Sequence, residues 1–128
     1  MCAGETVPSG AAAVPTVVFA TPIGSRQGEQ LQEGPAADGR KFAKQGLWVR
    51  SDVAATIVAQ SPTDGVDFQG WGDDKVHSAV DIPALPAECV SWRVYPGGLV
   101  YSESQCAQIR VTAGGRSGTL NFGLGVRC

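Results

Sequence analysis

What this chain has little of narrows the field before anything it possesses. It holds a single histidine, His77, and no G-x-S-x-G elbow, so a nucleophile has no base within a recognisable pattern. The cysteines form no CxxC pair and have no histidine at ligand spacing, which argues against a zinc site. No run approaches the roughly 20 apolar residues of a membrane-spanning helix, since Pro, Gly or charge interrupts each apolar stretch. Like charges are never massed: ten basic and twelve acidic residues are interspersed for a formal charge of −2. Nucleic acid therefore has no electrostatic footprint to bind.

What is present is a chain of 128 residues, 43% apolar, with 17 glycines. That length supports one core and not two, and the glycine excess points to many turns. Residues 1–14 read as a flexible N-terminal arm and 15–128 as the folded domain. Met1-Cys2-Ala3-Gly4 is followed by no apolar stretch of a secretory leader, so the leader was removed or none existed. Cys2 to Val14 has the composition of an Ala/Gly/Pro/Ser tether behind a lipidated cysteine, which gives Cys2 two readings.

The other reading is a disulfide. Four cysteines, Cys2, Cys89, Cys106 and Cys128, in a short Gly-rich chain imply an oxidising compartment and permit three connectivities. Val90 to Tyr95 alternates in polarity, Leu99 to Glu103 does so more loosely, and Pro96-Gly97-Gly98 between them is a turn signal. With Gly97 and Gly98 as a two-residue loop, counting outward sets Cys89 opposite Cys106 in a non-hydrogen-bonded pair, where side chains come closest. The expected bridges are then Cys89–Cys106 and, by elimination, Cys2–Cys128. Pro96 is the alternative's foothold: it has no N–H for the first ladder bond, and as second residue of a Tyr95 to Gly98 turn it would shift the register.

Strand signals recur along the rest. Thr16 to Thr21 is β-branched and apolar between two prolines. Ile23 to Gln45 reads as a long polar excursion with at most a short helix around Arg26 to Gln32. Eight short strands follow: Leu47 to Arg50, Ala54 to Gln60, Val66 to Trp71, Val76 to Ile82, Val90 to Tyr95, Leu99 to Ser102, Cys106 to Thr112 and Thr119 to Val126. In the last two, Ile109 and Val111, then Leu120, Phe122, Leu124 and Val126, mark the core faces. Close-spaced turns predict an all-β, disulfide-stapled antiparallel β-sandwich, Ig-like or similar, with a compact β-barrel second.

Gly46-Leu47-Trp48-Val49-Arg50, Phe68-Gln69-Gly70-Trp71-Gly72, Trp92 to Gly98 before Cys106, and Gly123-Leu124-Gly125 closing on Cys128 carry a resemblance. Together they make the chain look like a loosely defined group of small secreted or lipid-anchored actinobacterial proteins of uncharacterised function, over about two thirds of its length. The resemblance implies a place in the cell envelope and no particular chemistry.

Chemistry-bearing residues are sparse. Alternation sets His77 on the face opposite Val76 and Val80, a rim position. Asp64, Asp67, Asp73, Asp74 and Asp81 fall in one stretch, but their spacing fits neither a glycosidase pair nor an EF-hand loop, and turn formation accounts for most of them. The Gly-x-Gly pairs at 70–72 and 123–125 lack the third glycine and helix of a phosphate cradle. Among the tryptophans, Trp92 is in phase with Val90 and Val94 and is assigned to the interior. Trp71, between glycines and beside Asp73 and Asp74, is the one expected to be exposed, making Trp71, Asp73 and Asp74 the candidate binding surface.

The leading expectation is a non-catalytic extracellular or cell-envelope interaction module, without cofactor or metal, binding a protein or polysaccharide through loops. Self-association enters through the alternative, a structural subunit of a virion or filament whose N-terminal arm a neighbour holds; a membrane enters only through lipid on Cys2. A carboxylate-dependent hydrolase ranks last.

Overall fold

Clean alternation and a double glycine build the simplest part of the fold. Gln105–Ala113 (β11) and Arg116–Leu124 (β12) pair antiparallel from Gln105 opposite Leu124 to Ala113 opposite Arg116. Gly114 and Gly115 close the loop with φ of 57° and 76°, the positive values that both central residues of a type I′ turn require. Ile109, Val111, Leu120, Phe122 and Leu124 are buried as the period-2 pattern predicts, whereas Val126 lies beyond the strand and is 38% exposed.

The structure is a computed structural model that describes residues 1–5, 8–20, 30–36, 39–60, 62–68, 76–85 and 88–128. Among these it contains no helix and twelve strands. The others are Ala11–Val14 (β1), Val17–Ala20 (β2), Glu33–Pro35 (β3), Lys41–Lys44 (β4), Gly46–Arg50 (β5), Ala55–Ala59 (β6), Gly65–Phe68 (β7), Ala79–Ile82 (β8), Trp92–Tyr95 (β9) and Gly97–Tyr101 (β10). They form three antiparallel sheets, ordered β1-β2-β5-β9, β3-β4-β10-β7 and β12-β11-β6-β8. The nine expected strands are present in whole or part; Thr21 of the first and Gln69 to Trp71 of another lie outside the described residues. β1, β3 and β4 come in addition. β1 falls inside the expected arm, where Val14 is buried and Ala11 pairs with Phe19. β3 and β4 fall inside the expected excursion; of the helix suggested there, residues 26–29 lie outside the described residues, and Gln30 forms a parallel bridge to Gly123.

The expected hairpin across Gly97-Gly98 does not form. β9 and β10 run on in one direction and pair with β5 and β4, from Arg50 opposite Trp92 to Tyr101 opposite Lys41, in a single register. Pairing lapses only where Gln45-Gly46 meets Pro96-Gly97, and the Gln45 N–H bridges that step by donating to the Gly97 carbonyl at 2.9 Å. The glycines serve close approach: a Cβ on Gly98 would run into the Ala43 carbonyl oxygen and the Phe42 ring.

With the hairpin gone, Cys89 and Cys106 are no longer opposite one another, and the bridges are Cys2–Cys89 and Cys106–Cys128. The Cys2 N–H donates to the Val90 carbonyl at 2.7 Å, which fastens the arm beside the lead-in to β9. No cysteine is free, which fits an oxidising, extracellular-type environment. No helix among the described residues is long and apolar enough to cross a membrane.

Buried residues from all three sheets form one cluster, with Phe19 and Phe122 in a tilted contact, centroids 5.5 Å apart. The sheets also meet at their margins. Val66 and His77 exchange both backbone bonds at 2.8 and 2.9 Å, and the Leu31 N–H donates to the Gly123 carbonyl at 2.9 Å.

Candidate functional site

Register decides which side of β5 and β9 meets the core. Val17, Val49 and Arg93 share one cross-strand row and Phe19, Leu47 and Tyr95 the next; Val17, Val49, Phe19 and Leu47 are wholly buried. The alternate residues point the other way: Val18, Trp48 and Val94 in one row, Ala20 and Gly46 in the next with Pro96 alongside. This reverses the phase expected for β9. Val94 is 50% exposed, and Trp92, assigned to the interior by its phase with Val94, is half-buried on the outer face opposite Arg50.

On that outer face lies a groove of about 410 Å³ lined by Ala20, Lys44, Gly46, Trp48, Val94, Pro96 and Gly97. Gly46 keeps its floor low, because a Cβ there would come within 2.6 Å of the Ala20 carbonyl oxygen. Among the described residues of the lining, Lys44 supplies the only charge, and none carries a carboxylate, hydroxyl, thiol or imidazole. The arrangement is suited to burying apolar side chains beside one ammonium group.

The surroundings are electrostatically settled. Arg50 donates from Nε and Nη2 to the Asp52 carboxylate at 2.6 and 3.0 Å, and that hydrogen bond holds the Asp52 carboxyl below its ordinary value. Arg93 points inward from β9, donating to the Tyr95 hydroxyl at 3.2 Å and the Pro83 carbonyl at 2.8 Å. Arg93 Nε and Trp92 Nε1 are shut off from water with no hydrogen-bond partner among the described residues.

No family model, curated protein or solved structure matches this chain. Its own geometry must therefore carry the reading.

Trp71, Asp73 and Asp74 lie outside the described residues. Asp64 accepts from Ser102 Oγ at 2.8 Å and lies 4.0 Å from Arg40, while Asp81 accepts from Thr56 Oγ1 at 2.7 Å. Among the described residues no three His, Cys, Asp or Glu side chains cluster as metal ligands would. His77 is half-buried and serves through its backbone at the Val66 bridge. Trp48 was not singled out from the sequence; an inward Leu47 and Val49 would have turned it outward by alternation, along with Gly46 and Arg50. The partner strand of β5 was not legible, because β9 had been paired with β10.

Proposed function

We propose that this chain is a non-catalytic extracellular or cell-envelope binding module whose contact surface is the Trp48–Val94 groove. The carrying observation is the half-exposed Val94 beside Trp48 and Pro96 in an apolar depression on a sheet face, since an exposed apolar hollow on a small soluble domain marks a contact site more often than a neutral surface. The paired cysteines agree with the location, as does the resemblance to small actinobacterial envelope proteins. On the same reading the common register of β4–β5 with β9–β10 makes two of the sheets one layer, and the fold is a sandwich of that layer against β12-β11-β6-β8. Cys2 cannot hold lipid on its sulfur while bonded to Cys89, which removes the lipidation reading of Cys2. The subunit reading needs an arm free for a neighbour, whereas residues 2 and 11–14 are bound to their own chain.

The test uses the purified oxidised protein and the envelope fraction of its native source. Wild type and a Thr119→Glu control on β12 are expected to be retained, and Val94→Glu to be lost. Equal retention of all three would remove the groove from the function, and an obligate multimer at low micromolar concentration would favour the subunit reading.

A further inference from the structure

The backbone beside the groove points to the form of its ligand. In an antiparallel pair, residues alternately direct N–H and C=O toward the partner strand and away from it. Ser51 N–H donates to the Ser91 carbonyl and Gln45 N–H to the Gly97 carbonyl, so 91, 93, 95 and 97 face β5. Trp92 and Val94 therefore project their backbone groups outward. On either side of them that outer edge is taken: the Val90 carbonyl accepts from Cys2 N–H, and Gly97 to Val100 pair with β7. Along β9 itself no strand among the described residues is paired on that side. Pro96, which has no N–H to offer, ends the stretch, as prolines on edge strands do.

We infer that the outer edge of β9 takes an extended acidic peptide as an added strand, with an apolar side chain seated in the groove and a carboxylate on Lys44; this rests on the binding-module reading above. The added strand would gain backbone bonds from Trp92 and Val94, and its alternate side chains would fall on the face that carries Val94 and Trp48. A sugar is disfavoured because its hydroxyls would meet a lining whose polar side-chain groups, among the described residues, are confined to Lys44 and the Trp48 indole, leaving most of them without partners there. Lys44, the one charged group among the described lining residues, is complemented by a peptide carboxylate.

The experiment observes backbone amides of the intact, oxidised protein by NMR. In the unliganded protein the Trp92 and Val94 amides should exchange rapidly; slow exchange at both would mean the edge is already occupied and would overturn the proposal. The probes are three blocked hexapeptides alternating threonine with valine, leucine or phenylalanine and ending in aspartate, with chitohexaose as the sugar control. At least one peptide should give saturable shifts at Trp92, Val94 and Trp48 and protect the first two amides. N-methylation of every second peptide amide should abolish this, and Lys44→Glu should weaken it about tenfold. Shifts confined elsewhere, undiminished binding of the methylated peptide, preference for chitohexaose, or dimerisation in place of peptide binding each defeat strand addition. If no peptide binds while Val94→Glu still loses envelope retention, strand addition falls and the binding module stands; if retention is unaffected as well, both fall.

Discussion

Two Gly-Gly dipeptides in this chain do opposite work. Gly114-Gly115 reverses the chain between β11 and β12, with positive φ at both residues and nothing within 4 Å of where a Cβ on Gly115 would stand. Gly97-Gly98 lies inside a strand and lets the Ala43 backbone come close. The first uses glycine's freedom of φ at both residues; the second uses it at Gly97, with a φ of 153°, and the lack of a side chain at Gly98. The units they belong to differ in the same way: β11–β12 is closed by two residues, while the ribbon of β4–β5 with β9–β10 joins segments about half the chain apart.

The largest expected contrast lies in the disulfides, one of which anchors the lead-in to the ribbon and the other the hairpin. Cys2–Cys89 spans 87 residues and Cys106–Cys128 spans 22. Loop-closure entropy makes these worth about 4.6 and about 3.4 kcal/mol respectively. Urea unfolding of the two double alanine variants should show the larger loss for Cys2/Cys89, and the reverse order would mean that the ribbon is not held from its start.

Substituting the glycines sharpens the comparison further. Gly98→Ala should cost about 3 kcal/mol by overpacking against Ala43, and Gly115→Ala about 1 kcal/mol, through backbone conformation alone. Equal costs in denaturant titrations would mean that both glycines act through φ.

The smallest effect concerns the far end of the ribbon, where the buried Tyr101 hydroxyl donates to Glu33 Oε2 at 2.7 Å. Burial, and then the bond to Glu33, raise its pKa above the ordinary 10.0. Because the folded state keeps the proton that the unfolded state releases, this contribution is complete below pH 10 and falls as the pH climbs above it. Tyr101→Phe should lose about 1 kcal/mol at neutral pH and show a shallower alkaline decline than wild type. An unchanged slope above pH 10 would assign the decline to other groups.

The hairpin was readable because every cue for it is local. Ile109 and Val111 alternate against Arg110 and Thr112, and the turn signal follows directly. β4 went unseen because its buried residue is only Ala43, which is opposite Leu99 in a strand more than 50 residues away. The same blindness misassigned the disulfides, since the expected pairing borrowed its register from a turn that is in fact a continuous strand. Trp48 could have been found from β5 alone, but Val94 could not, because which side of β9 faces inward depends on its register with Val49 and Leu47.

By itself the sequence determined an all-β chain with paired cysteines, and it determined the inward faces of the strands whose partners are near in sequence. Period-2 alternation, turn chemistry and composition are properties of a few consecutive residues, which is why they survive without a structure. Strand partnership, the Cys2–Cys89 and Cys106–Cys128 connectivity and the groove were decided by the tertiary structure alone. Each depends on which distant backbone supplies a strand's hydrogen bonds, and that choice is made by the burial of the whole core.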